Sequence, residues 1–145
     1  MNQILSLDPG SEKCGLLLAD IDQNIVLKAK VVKKDLVLEV ISQWFDKYSI
    51  KLIIIGDGTN SRYWHSEIVS LNLAQIKLVS EKGTTLRARH RYWEIYPPGC
   101  LISFIPRSML LPPKNLDAIA ALILLEDYLR KKITWREGVD FKILP

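Results

Sequence analysis

The apolar residues first change their period near residue 35, and that change limits what the chain can fold into. Before it lie three short apolar runs: Gln3–Leu7, Cys14–Ile21 and Ile25–Val32. Asp22, Gln23 and Asn24 give turn chemistry between the second and third, so the opening reads as an antiparallel meander. After it, Leu36, Val37, Val40, Ile41, Trp44, Phe45 and Tyr48 recur at helical spacing, with Asp35 at the N-terminal end. Lys51–Ile55 is a continuous run, β-branched over Ile53–Ile55, that suits a strand buried on both faces. Ser61 is expected to cap a helix to about Leu71, with Trp64, Ile68 and Leu71 inward. Gln75–Val79 is the next strand, and Thr84 to about Tyr96 a helix stopped by Pro97, Pro98 and Gly99. Leu101–Leu111, broken by Pro106, reads as loop, and Asn115 is expected to cap a last helix from Leu116 to about Arg130. The later strands return through helices, so they must pair in parallel. The expected fold is α/β: a mixed five-stranded sheet, three antiparallel strands then two parallel, with helices on both faces.

The chain has 145 residues, which suits one domain over 1–145. With 48% apolar residues it can bury a real core, so general disorder is excluded. Its net charge of +4 favours an anionic partner only mildly. Cys14 and Cys100 are the only cysteines; without a Cys-x-x-Cys or Cys/His cluster they make no zinc site. They read as reduced thiols of a cytosolic protein. The N-terminus lacks the build of a signal peptide, and no apolar run reaches the roughly 18–20 residues of a membrane span. A soluble, cytoplasmic chain without membrane association is expected.

Three expected strands end at or just before an acid: Asp8, Asp57 in IIIGDGTNSR, and Glu81 in KLVSEKGTT. Each has a plain explanation: a turn at Asp8-Pro-Gly, an Asx-turn at Asp57, a solvated loop charge at Glu81. Asp117, in the first turn of the last helix, complements the helix dipole. Their joint placement argues further. Ligands of α/β sheets gather beyond the carboxyl ends of parallel strands. If the first, fourth and fifth strands are neighbours, three carboxylates converge there, with Asp117 as a fourth. Converging like charges raise one another's pKa unless a cation lies between them. Hard divalent ions such as Mg²⁺ prefer such oxygen ligands, and a pair of them about 3.5–4 Å apart supports phosphodiester cleavage.

DPGSEKCG, VSEKGTT and LDAIAALILLEDYL resemble, in this order, motifs of the ribonuclease-H-like superfamily in its YqgF and RuvC branch. The resemblance spans roughly Gln3 to Leu129. RuvC-type members are Holliday-junction resolvases; YqgF-type members are resolvase-like proteins linked to processing of ribosomal RNA precursors. It implies a ribonuclease-H-like fold and a Mg²⁺- or Mn²⁺-dependent nuclease acting on branched DNA or structured RNA. Asp8 then matches the first-strand metal ligand, Glu81 the glutamate of an Asp-Glu-Arg stretch, and Asp117 the aspartate opening the final Ala-rich helix. Lys13 stands where YqgF-type proteins often carry arginine. Ser80-Glu81-Lys82 departs from Asp-Glu-Arg at both flanks. RuvC-type enzymes carry two acids in the last motif, whereas here Lys114 and Ala120 lie one turn either side of Asp117. A four-acid site then needs Asp57 or water. IIIGDGTNSR is also similar to a Gly-Asn-Gly-Thr-Ala-Ser-Arg stretch in the YqgF-like domain of Tex-type transcription accessory proteins, with Asp57 in place of asparagine. That resemblance implies binding without cleavage. A nucleotide- or phosphate-binding protein using GDGTNSR is a third reading.

Basic residues cluster beside these acids. Lys82, Thr84, Thr85, Arg87 and Arg91 open the helix after Glu81, and Arg87 and Arg91 share a face. With Lys13, Ser61 and Arg62 they are the expected phosphate contacts, aided by helix N-termini. A solvated helix face is the plain alternative. His90 is expected at the surface, and Trp64 and Trp93 in the core. The last helix is apolar nearly all round, so it must be covered on more than one side, by the tail or a second subunit. A homodimer would suit a two-fold junction substrate.

Overall fold

The structure is a computed structural model; it describes residues 2–99, 104–106, 109, 116–136 and 139. The strands are β1 (Gln3–Asp8), β2 (Lys13–Asp20), β3 (Ile25–Lys33), β4 (Ile50–Gly56) and β5 (Gln75–Val79). The helices are α1 (Val37–Lys47), α2 (Ser61–Leu71), α3 (Thr84–Ile95) and α4 (Asp117–Leu129). One sheet holds all five strands in the order β3-β2-β1-β4-β5. β1/β2 and β2/β3 are antiparallel, while β1/β4 and β4/β5 are parallel. This is the expected mixed sheet, and β1, β4 and β5 are parallel neighbours.

Side-chain alternation divides the core into two layers. Leu5, Leu7, Leu16, Leu18, Ile53 and Ile55 face α1 and α2, whose Val37, Val40, Ile41, Trp44, Trp64 and Ile68 cover them. Ile4, Leu17, Ala19, Val31 and Ile54 face α4. The run Ile53–Ile55 thus supplies both layers, as a doubly buried strand must. α3 packs chiefly on α4 through Ala88, Tyr92 and Trp93.

α4 is buried without a break from Ala118 to Glu126. The sheet covers one side and α3 another, and Ile133 of the returning chain is fully buried beside it. The expected second cover is therefore met within the chain. Thr134 then bridges to Ile25 at the β3 edge. The buried acid Glu126 is satisfied: it binds Arg91 Nε and Nη2, each at 3.0 Å, and the Ile133 N–H at 2.8 Å.

Two expected caps differ. Ser61 is the first helical residue rather than the cap; Asn60 precedes it, and neither side chain bonds the helix end. Leu116 caps α4, and Asn115 lies outside the described residues. A short 3-10 turn over Lys34–Leu36 carries Asp35 into α1. Of the expected loop Leu101–Leu111 and the tail, most residues also lie outside those described.

Candidate metal centre at the strand ends

Asp8 is the last residue of β1 and pairs with Gly15 of β2. Gly15 is what brings Asp117 to it: a Cβ there would lie 1.9 Å from the Asp117 carbonyl oxygen. Only a residue without a side chain lets the start of α4 rest on β2 this closely. Pro9 and Gly10 turn the chain away beyond Asp8. The Trp64 Nε1–H donates to the Gly10 carbonyl at 2.8 Å, tying this turn to α2. A Cβ at Gly10 would lie 2.0 Å from the Lys13 carbonyl oxygen.

The GDG loop after β4 is a seat for Glu81. Side-chain carbons at Gly56 and Gly58 would lie 2.1 Å and 1.9 Å from the two Glu81 carboxylate oxygens. The Gly58 N–H donates to that carboxylate. Asp57 braces it from behind, its Oδ1 accepting the Glu81 backbone N–H at 3.1 Å. Asp57 thus orders the Glu81 turn. Thr84 closes the turn too: its Oγ1 donates to the Glu81 carbonyl at 2.9 Å.

The acids sense one another. Burial raises the Asp8 pKa to about 8, reinforced by the charges of Glu81 and then Asp117. Burial also raises Glu81, against the Gly58 hydrogen bond and with help from Asp57. Glu81 Oε1 is buried without a hydrogen-bond partner. Cys14, fully buried next to this cluster, has its thiol pushed up to about 12 by burial first, with Asp8 and Asp117 adding. Lys13 Nζ stands 3.6 Å from Asp117 Oδ2 and neutralises part of the charge.

This donor set fits a hard divalent cation in its chemistry. An orphaned buried carboxylate oxygen and an acid forced toward neutrality mark a place where positive charge is wanted. Among the described residues, however, no three His, Cys, Asp or Glu side chains stand close enough to grip one ion together. Asp8, Glu81 and Asp117 are electrostatic neighbours, and a shared ion would need their side chains drawn inward.

The expected phosphate contacts divide. Lys82, Thr85 and Arg62 are exposed near the acid-bearing turns, and Ser61 is half-buried at the start of α2. Thr84 is buried, with its hydroxyl engaged as described. Arg87 and Arg91 are engaged with α4. Arg87 forms a two-pronged pair with Asp127. Arg91 holds Glu126, donates to Glu94 at 3.2 Å, and donates to the Ile133 carbonyl at 2.8 Å. Asp127 lies ten residues beyond Asp117, about 15 Å along α4. These two guanidiniums therefore bind α3 to α4 and do not point at the acids. Their shared face was legible in sequence; the acids waiting on α4 were not. His90 is exposed, and Trp64 and Trp93 are buried, as expected.

Gly15, Gly56, Gly58 and Trp64 are site residues that the motif reading passed over. A glycine inside a strand, as at Gly15, is the one signal that pointed to close backbone approach.

A mixed sheet of this order, covered by helices on both faces, is the ribonuclease-H-like α/β fold. Among solved structures, that of T. thermophilus RuvC in complex with Holliday junction substrate is similar to it. The match has a TM-score of 0.50 at 13% identity and covers 90% of this chain and 96% of that one. At such identity the likeness speaks for the fold. No protein-family model matches the sequence, and no curated protein matches it. Among the described residues no helix is long and apolar enough to cross a membrane.

Proposed function

We propose that the chain is a divalent-metal-dependent endonuclease acting on branched DNA or structured RNA. The observation that carries this reading is Asp8: a half-buried acid at the carboxyl end of the central strand, its pKa raised to about 8 by desolvation first, with help from Glu81 and Asp117. Asp8, Glu81 and Asp117 would hold Mg²⁺ or Mn²⁺, which when bound supplies an activated water and charge for the leaving oxygen. The glycine seat and the Asp57 brace fix the Glu81 carboxylate before any ligand arrives, which lowers the reorganisation needed at the site. Lys13, Lys82, Thr85 and Arg62 would take phosphates. Support comes from the fold, from the resolvase-type motifs, and from the similar RuvC structure, in which that protein is in complex with Holliday junction substrate.

The test is cleavage of a four-way DNA junction and of precursor RNA with Mg²⁺ or Mn²⁺, beside Asp8→Asn. Metal-dependent cleavage lost in the variant is the expected result. Equal cleavage by both, or none on any substrate, would sink the catalytic reading.

A second reading, a binding module like the YqgF-like domain of Tex-type proteins, draws on two observations. Lys13 already sits on Asp117, and no three acids close on a single point among the described residues. It predicts salt-dependent nucleic-acid binding that does not change with Mg²⁺. Calorimetric titration separates the two: saturable Mg²⁺ binding at millimolar levels or below favours the nuclease.

A further inference from the structure

Among the described residues Lys13 is the one cation in an ion pair with the acid site. No other salt bridge there reaches Asp8, Glu81 or Asp117. The Lys13 Nζ lies 3.6 Å from Asp117 Oδ2, with the two side chains 38% and 31% exposed. A charge-assisted hydrogen bond is shorter, about 2.7–2.9 Å, so this contact is a loose electrostatic one that parts easily.

The two partners are held differently. The first turn of α4 rests on β2 at Gly15, so the Asp117 backbone cannot move without lifting the helix. Lys13 is anchored at its root. It opens β2, two residues or about 7 Å from Gly15, which pairs with Asp8. A Cβ at Gly10 would meet the Lys13 carbonyl oxygen at 2.0 Å, and the Trp64 indole in turn holds the Gly10 carbonyl. Beyond that root stands a flexible four-carbon stem. Alternation puts the stem on the side of the acids. Cys14 packs toward α1, so Lys13 and Gly15 face α4, as Ser6 does through its bond to the Ala121 carbonyl, and Asp8 two residues on. On its other flank Lys13 stands opposite Lys33 of β3. Like charges so opposed disfavour each other, which favours an ammonium leaning toward the acids.

An ordinary surface ion pair accounts for the distance and leaves the place unexplained. One positive charge stands among three acids and does not complete their neutralisation. Asp8 is still raised to about 8, and Glu81 Oε1 is still buried without a hydrogen-bond partner. A stronger cation is wanted where a weaker one stands. Lys13 and a divalent ion would compete for the Asp117 carboxylate, and competitors weaken each other's binding by the same factor.

We propose that Lys13 is a displaceable counter-ion of the acid site: it holds Asp117 until a divalent cation takes that carboxylate, and then passes to a phosphate of the substrate. This rests on the metal-dependent function proposed above, and it names the residue that sets the metal affinity of that site.

Mg²⁺ binding is measured by calorimetry at about 0.15 M salt, where exposed charges beyond about 8 Å are screened. Lys13→Met is expected to bind Mg²⁺ about three- to tenfold more tightly than wild type. Lys13→Arg, which keeps the charge, should stay near wild type. Lys33→Met removes an equal charge that makes no ion pair among the described residues, and it should stay near wild type too. In the wild type itself, reductive methylation of Lys13, read by mass spectrometry against Lys33, should quicken as Mg²⁺ saturates, because the amine leaves its carboxylate. That measurement needs no variant, so it carries the test even where Lys13→Met fails to fold. Mg²⁺ binding that Lys13→Met leaves equal or weaker, or that Lys33→Met tightens as much, overturns the counter-ion role alone. A Lys13 methylation rate that saturating Mg²⁺ leaves unchanged does the same. Absence of Mg²⁺ binding in both wild type and Lys13→Met overturns the proposed function as well.

Discussion

A side-chain carbon at Gly15 would sit 1.9 Å from the backbone carbonyl oxygen of Asp117. The obstacle is backbone, with the Ala118 nitrogen only 2.7 Å away, so no side chain can swing aside to make room. Gly15→Ala must lift the first turn of α4 off β2. Overpacking of this kind costs about 1–3 kcal/mol. A urea midpoint reduced by that amount is expected, together with loss of Mg²⁺ binding in calorimetry. A midpoint equal to wild type would refute the close approach.

Asp8 gives a pH dependence with a definite sign. Its folded pKa, about 8, lies above its ordinary value of 3.8, so the folded state holds the proton more tightly. The stability this contributes is complete below about pH 4 and is lost as the pH rises through about 8. Asp8→Asn stays neutral throughout. In metal-free buffer its Tm should equal that of wild type near pH 4 and exceed it increasingly up to pH 8, then level off. Added Mg²⁺ should raise the wild-type Tm and leave the variant nearly unmoved. Thermal melts across that range, with and without metal, check both halves.

The Cys14 thiol should be inert in the native state. At a pKa of about 12, on the order of one in ten thousand molecules carries the reactive thiolate at pH 8, and the group is fully buried. In a Cys100→Ser background, a disulfide reagent should titrate no thiol until denaturant is added. Prompt labelling of the folded protein would contradict the burial of β2 against the acid cluster.

Arg91 and Glu126 should show strongly unequal single and double costs. Their side chains are 11% and 9% exposed, and Arg91→Ala leaves a buried carboxylate facing the Ile133 N–H without its cation. Removing one partner of such a pair costs about 3–5 kcal/mol. Arg91→Met with Glu126→Leu should recover much of that loss. Urea melts of the four proteins in a double-mutant cycle give the coupling. Additive losses would show that the pair does not act as a unit.

The order of elements was legible because burial writes itself into local periodicity. Val37, Val40, Ile41 and Trp44 mark one face of α1, and the isoleucines of β4 mark a strand covered on both sides. Those signals depend only on which residues a helix or a strand turns inward. The acids stood out for the same reason, since Asp8 and Glu81 follow runs that end abruptly. The partners of the basic residues were not legible. Arg87 and Arg91 were read as neighbours of Glu81 in sequence, but α4 lays Asp127 and Glu126 beside them, and a guanidinium takes the carboxylate that is nearest in space. Likewise Gly56 and Gly58 looked like the frame of a turn around Asp57, while they are the seat of a side chain more than twenty residues away.

What the sequence by itself determined is therefore the list of strands and helices, the sense of their pairing, and the acids at the strand ends. Each follows from the alternation of apolar and polar residues and from the reach of short connections. Only the tertiary structure decided which charges neutralise one another and which glycines yield room to a distant carboxylate. Such relations are set by distances between elements. A linear pattern carries no record of those distances until the sheet order β3-β2-β1-β4-β5 and the docking of α4 at Gly15 impose them.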